Sequence, residues 1–464
     1  MLFLFLFLPL SLAVYYISSK SVKEYVLLAI SLVFYSLCSV DYFLLFVLEI
    51  IGTVTIGRII SQTKDKVMKR SLLIIGIVIN TGLLIYYKYS DFALRTWGSM
   101  TSSEVKLMGL ALPLGISFFT FKAISYLTDV YKGTAVLADN PVHDALYLSF
   151  FPQVQSGPLS RYNELERHSE INMQLFSDGV FRFLIGFCKK VLIANVLSKI
   201  TVEVFATPFE DFSMLYAWVG SICYSLQLLF DFAGYSDMAI GVTEMFGYRC
   251  LENFNYPYMT ESVTKFWRRW HISLGQWFRD YIYIPMGGSR CKGKYRVYFN
   301  LFVVWVLTGI WHGADWNYVA WGLGYFLVIA FERFTSLPDR IKSKPAKAVY
   351  RIFCLLFINF QWVLFNSKDL MSGLRYIKTM IVYRSNELAD YRALFLLKDY
   401  WIFILAAIIL CFPIVPWIDK KLKSSKMIHT LFEVTIVVIV VAAFIWAVSF
   451  VVSGLNNPFA YANF

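Results

Sequence analysis

Two histidines in this chain sit where an ionisable side chain should be expensive. His312 lies in "LTGIWHGADWN" (307–317), between the apolar stretches "FNLFVVWV" and "YVAWGLGYFLVIA". His271 lies in "TKFWRRWHISLGQWFRDYIYIPMGG" (264–288). An imidazole with its ordinary pKa of about 6.5 is largely neutral at cytoplasmic pH, and burial lowers that pKa further. At His312 such a base could take the proton from a hydroxyl that attacks a thioester. A packing donor or a proton-relay member is the competing reading. His271 falls on helical spacing among Trp267, Leu274 and Phe278, where a histidine is more often a satisfied structural residue. His143, His168 and His429 sit at loop or span ends and are weaker candidates. The sequence holds no H-e-x-x-H metal motif, no Ser–His–Asp pattern and no phosphate-binding glycine loop, which disfavours an ATP-driven pump.

Charged groups near these histidines extend the chemistry. In 264–288, Phe266, Trp267, Trp270, Leu274, Trp277, Phe278 and Tyr281 share a broad apolar face at helical spacing, with Arg268, Gln276 and Arg279 opposite. That pattern predicts one amphipathic helix at a membrane interface. Its sharper reading makes Arg268, Arg269 and Arg279 a cationic mouth for an anionic donor such as an acyl-CoA, because guanidinium forks suit phosphates. "YSLQLLFDFAGYSDMAIGV" (224–242) places Gln227, Asp231, Ser236 and Asp237 in an apolar span. Intramembrane carboxylates are costly and face a bundle interior, as functional groups or as a network that fixes packing. Pro113 and Gly115 in "LPLGISFFTFKAISY", and Pro152, Gly157 and Pro158 in "FPQVQSGPLSRY", break helices where backbone lines a cavity or ends a loop.

The elements that must carry these residues follow from composition. With 58% hydrophobic and 16% charged residues and a mean hydropathy of +0.58, the chain of 464 residues is too apolar for a soluble globular protein. Backbone in lipid must pair internally, and the apolar stretches are long and continuous, so the prediction is all-α and polytopic, not a barrel. Spans fall near 2–17, 24–38, 41–60, 71–88, 107–127, 142–156, 179–206, 214–247, 299–312, 315–332, 348–366, 398–417 and 430–453. About 11 of these cross as helices, with re-entrant and interfacial helices making up the rest. No polar linker separates two cores, so 1–464 is expected to be one membrane domain. The seven cysteines are scattered and predict neither a disulfide framework nor a metal site.

The net charge of +12 fits basic cytoplasmic loops better than a nucleic-acid partner. Four basic stretches, 61–70, 256–298, 338–347 and 420–426, are assigned to the cytoplasm. Three early crossings then put the N-terminus outside, and the apolar start lacks the marks of a cleaved signal. The spans 299–312 and 315–332 must leave and return to the same side, with "HGAD" at the turn. About 14 helical residues reach roughly 20 Å into a bilayer of about 30 Å, so His312 is expected deep in the membrane.

At these residues the chain resembles the membrane-bound O-acyltransferase family, and within it the bacterial branch that acetylates polysaccharides. The matching stretches are "LPLGISFFTFKAISYLTDVYKG", "FPQVQSGPLSRY", "GFCKKVLIANVL", "YSLQLLFDFAGYSDMAIGV", "ENFNYPYMTESVTKFWRRWHISLGQWFRDYIYIPMGGSR" and "LTGIWHGADWNYVAWG", in order from 112 to about 325. The resemblance implies a ring of tilted helices around a central tunnel. It maps the family's mid-membrane histidine onto His312 and its second histidine onto His271. It implies transfer of an acyl group, usually acetyl, from a cytoplasmic acyl-CoA such as acetyl-CoA, with no bound cofactor or metal. The acceptor is an extracytoplasmic polysaccharide at a bacterial cell membrane, often reached through a separate SGNH-type acetyltransferase. A sister branch transfers D-alanyl groups to teichoic acids from a carrier-protein thioester and shares the "FWRRWH" region. A transporter of a polysaccharide or lipid-linked intermediate is the rival of another class, although the paired repeats common in transporters are missing from the sequence. A non-catalytic scaffold that recruits a secreted transferase is a further rival.

Overall fold

The computed structural model describes residues 2–167, 172–382 and 388–454. His168 lies outside the described residues. The chain divides into two compact units, one of 1–180 with 239–251, the other of 181–238 with 252–464.

In the first unit a π-helical turn, Phe3–Phe7, leads into α1 (Leu8–Ile17). It is followed by α2 (Lys23–Cys38), α3 (Phe43–Gln62), α4 (Lys66–Thr101), α5 (Ile116–Lys132) and α6 (Pro141–Ser149). Asp65 starts α4 by accepting a hydrogen bond from the Met68 N–H, which satisfies one of the helix's free donors. One two-residue antiparallel pair, Glu166–Arg167 with Tyr248–Arg249, completes the unit.

The span expected at 107–127 is corrected. Residues 103–113 are not helical, and α5 begins only at Ile116. The cause is local: Gly115 holds φ +70° at the helix start, and a Cβ there would run into the Val154 carbonyl. The two helix-breaking stretches therefore pack on each other, backbone against backbone. Beside them Asp144 is fully buried and accepts from Arg58 at 2.6 Å, Tyr162 at 2.7 Å and Tyr126 at 3.1 Å. Lys122, also buried, donates to the Tyr147 carbonyl at 3.2 Å.

The second unit holds most of the long helices. Helix α7 (Met173–Cys188) continues through a π-helical turn, Lys189–Ala194, into α8 (Asn195–Ala206), and α9 runs Met214–Met245. The stretch 264–288 is not the single helix predicted from its periodicity. It forms α10 (Val263–Trp267), a turn through Arg268–His271, then α11 (Ile272–Phe278) and a π-helical turn, Arg279–Tyr283. His271 takes φ +45°, a left-handed conformation that a helix cannot continue through.

Then come α12 (Lys294–His312), α13 (Trp316–Thr335), α14 (Leu337–Arg340), α15 (Lys344–Asn366), α16 (Leu370–Ile381), α17 (Tyr391–Leu410), α18 (Ile414–Leu422) and α19 (Lys426–Val452). Trp270, Trp321, Trp362, Tyr216, Tyr325 and Tyr376 are fully buried at this unit's centre. Among the described residues five helical stretches are long and apolar enough to cross a membrane: Val40–Gln62, Lys66–Thr101, Lys344–Asn366, Tyr391–Leu410 and Lys426–Val452.

Candidate active site

The hairpin that carries His312 forms as its sequence predicts, with Gly313–Asp315 as the turn. Glycines set its closeness. A Cβ on Gly309 would meet the Tyr318 carbonyl, and one on Gly322 the Trp305 carbonyl, so α12 and α13 cross with their backbones nearly touching. Small residues permit such crossings inside membranes. Asp315, for which the sequence suggests no role, caps α13 by accepting from the Trp316 N–H at 2.6 Å.

His312 ends α12 and is 2% exposed. Its imidazole meets Trp321 edge-on at 4.9 Å between ring centroids and Phe365 at 5.2 Å, with Trp311 at 4.8 Å. The site is an aromatic box. Trp311 is buried, while Trp316 is 53% exposed.

His271 is positioned from both sides of its turn. Upstream, the buried Glu332 carboxylate of α13 accepts from the backbone N–H groups of Val263 at 2.7 Å and Thr264 at 2.8 Å, and from the Tyr350 hydroxyl at 2.8 Å. A carboxylate at a helix start satisfies donors that no turn of the helix reaches. Downstream, Asn253 gathers the turn. Its Oδ1 accepts from the Ser273 N–H at 3.3 Å, from the Ser273 hydroxyl at 2.9 Å and from His271 Nδ1 at 3.1 Å. Its Nδ2 donates to the Ser236 hydroxyl at 3.2 Å.

This network fixes the tautomer. The Ser273 N–H can only donate, so the atom facing it is the amide oxygen, and an oxygen acceptor requires the proton on His271 Nδ1. Nε2 is then the basic nitrogen. His271 lies outside the five long spans, and burial pushes its pKa down to about 3, so the ring is neutral at physiological pH. Phe232 packs edge-on against it at 4.6 Å. Trp311 is a ring neighbour of both histidines, 6.3 Å from His271 and 4.8 Å from His312.

A cavity of about 560 Å³ opens beside this turn, lined by Arg268, His271, Gln276, Arg279, Trp267 and Trp305 among others. Two of the three predicted arginines therefore share one cavity with His271. Arg269 does not line it; its carbonyl accepts from the Asn255 N–H at 3.0 Å. Arg279 already engages Asp280 through Nε at 2.6 Å and Nη2 at 3.0 Å. His312 is not among the lining residues.

The two carboxylates of α9 are held in ion pairs. Asp231 is 2% exposed and pairs with Lys190 at 2.5 Å. Asp237 accepts from Arg182 at 3.0 Å and Lys189 at 2.6 Å. Gln227 accepts from the Thr201 hydroxyl, and Ser236 holds Asn253. The sequence reading missed Lys189, Lys190, Glu332 and Asn253. Two lysines in the apolar span 179–206 beside two carboxylates in 214–247 were the available signal for the first pair. Of the remaining histidines, His143 meets Glu24 at 3.4 Å and His429 meets Asp419 at 2.8 Å.

Several long apolar helices define a multi-pass α-helical membrane protein. Residues 140–376 match the model of the membrane-bound O-acyltransferase family, and the chain belongs to that family. It is 37% identical over 397 residues to a probable alginate O-acetylase of Pseudomonas aeruginosa, covering 84% of this chain and 75% of that protein. It is 34% identical over 424 residues to a peptidoglycan O-acetyltransferase of Helicobacter pylori, covering 82% and 79%. A teichoic acid D-alanyltransferase of Bacillus subtilis is 30% identical over 277 residues, covering 55% of this chain and 69% of that protein.

Proposed function

We propose that this chain is a membrane O-acetyltransferase serving an extracytoplasmic polysaccharide, with His312 as its general base. The acyl donor is acetyl-CoA or a related acyl-CoA, its phosphates held near Arg268 and Arg279 and its thioester led past His271. His312 accepts the proton of the attacking hydroxyl. The new oxygen–acyl bond forms as the carbon–sulfur bond breaks, and the thiolate recovers the proton from the imidazolium. His271, neutral with Nε2 basic, receives a hydrogen bond and needs no charge. The observation that carries this reading is the pairing of two buried histidines through Trp311, one of them on an arginine-lined cavity, in a chain of this family.

The same reading keeps 1–464 as one membrane domain with about 11 crossings around a tunnel, the N-terminus outside a bacterial cell membrane, and an SGNH-type acetyltransferase as the partner that finishes transfer. Similarity to the teichoic acid D-alanyltransferase favours one second reading, in which the donor is a carrier-protein thioester.

His312→Ala tests the assignment. Mass analysis of surface polysaccharide should show acetyl groups lost, with the protein still present in the membrane at wild-type level. Full acetylation in that variant overturns the role of His312. Purified protein separates the donors: consumption of acetyl-CoA supports the first reading, and consumption of a carrier-bound D-alanyl thioester alone the second.

A further inference from the structure

Away from the histidines, two cavities in the second unit share one residue, Arg351. The first, about 640 Å³, runs between α9, α15 and the end of α17. Its walls are apolar, including Ile222, Leu226, Leu355, Leu356, Ile408 and Phe412. The second, about 470 Å³, is polar and contains Lys265, Lys347, Glu261, Asp339 and Tyr350. Arg351 stands where they meet.

Its surroundings leave that guanidinium without a counter-charge. Arg351 Nη2 contacts the Met259 sulfur at 3.2 Å, a weak acceptor. Among the described residues no carboxylate lies within ion-pair distance of it. Glu261 is engaged by Lys265 at 2.6 Å. Counting Lys265, Lys347 and Arg351 against Glu261 and Asp339 leaves the polar cavity with one excess positive charge. The basic stretches 338–347 and 420–426 flank the same ends of α15 and α17. A net-cationic cleft that meets an apolar one at Arg351 suits a molecule with an anionic head and a hydrocarbon tail.

We propose that this composite cleft binds one anionic phospholipid from the leaflet facing the basic loops. Arg351 forks onto its phosphate, Lys347 stands beside the head, and one acyl chain lies along Leu355, Leu356 and Phe412. The site lies outside the cavity of His271, so the lipid is a bound companion of the enzyme and not its acyl donor.

The test uses the full chain, purified in detergent and supplied with phosphatidylglycerol or phosphatidylcholine, with retained lipid read by native mass spectrometry. Wild type should keep one phosphatidylglycerol, roughly tenfold tighter than phosphatidylcholine. Arg351→Ala should lose the preference for the anionic head. Leu356→Trp, which fills the apolar groove, should lose retention with the arginine intact. Both variants should match wild-type thermal stability in lipid-free detergent, which separates lost binding from misfolding. Equal retention of both lipids by wild type, or unchanged phosphatidylglycerol retention in Arg351→Ala, overturns the proposal. So does inorganic phosphate at millimolar concentration displacing the lipid completely, because the head alone would then account for binding.

Discussion

His271 Nδ1 donates a hydrogen bond to Asn253 Oδ1 at 3.1 Å, and that bond decides which nitrogen of the ring is basic. Asn253→Ala removes the acceptor shared by His271 and the two Ser273 donors. An unsatisfied buried donor costs about 1–3 kcal/mol, and the ring loses its tautomeric preference. Acyl transfer per molecule of membrane-inserted protein should fall by about tenfold or more. Asn253→Asp keeps the acceptor and should retain more activity than Asn253→Ala; the reverse order would refute the tautomer argument.

Burial holds the His271 pKa at about 3, against about 6.5 for an unperturbed imidazole. Between those values the unfolded chain binds a proton that the folded chain does not. The stabilising contribution is therefore complete above about pH 6.5 and is lost as pH falls toward 3. Thermal unfolding in detergent should drop more steeply from pH 7 to pH 5 for wild type than for His271→Gln. Parallel curves would show that the imidazole is not held neutral.

Glu332 collects two backbone N–H groups at the start of α10 and the Tyr350 hydroxyl. Glu332→Ala leaves those donors buried and should cost about 2–4 kcal/mol. Unfolding temperature in detergent reads this directly. Glu332→Gln, which keeps one acceptor oxygen, should lose less.

Lys190 and Asp231 form a buried ion pair. Removing either partner takes away the buried counter-charge of the other, at a cost of about 3–5 kcal/mol. Asp231→Asn and Lys190→Met should each lower expression and thermal stability. The double variant Lys190→Met/Asp231→Leu should recover much of both and stay active. Loss of activity in a stable double variant would give the pair a role in chemistry.

Much of this arrangement was legible in the residues. The hairpin around His312 follows from two apolar runs separated by "HGAD". The arginines at 268 and 279 were placed at a mouth, and both line a cavity with His271. The broken helix at 268–271 was hidden because the aromatic residues before and after the break keep the same period. Only the φ of +45° at His271, and the distant Asn253 and Glu332 that hold it, reveal the turn. Lys190–Asp231 and Lys189–Asp237 bridge residues more than 40 positions apart, and periodicity carries no information about such pairs. The span expected at 107–127 starts too early because its first residues are apolar, whereas Gly115 takes a positive φ against Val154 and the helix begins at Ile116.

The glycine contacts in the α12–α13 hairpin bear on where catalysis can operate. Two helices locked through the carbonyls of Tyr318 and Trp305 cannot slide along each other without meeting those oxygens. The position of His312 against Trp321, which stands on the other arm of the hairpin, is thus set by protein backbone and not by the lipid around it. Bilayers of different thickness can tilt the hairpin as a whole, but they leave the distance between its imidazole and Trp321 unchanged. A hairpin built this way keeps the His312–Trp321 contact while its host alters the length of its fatty acids.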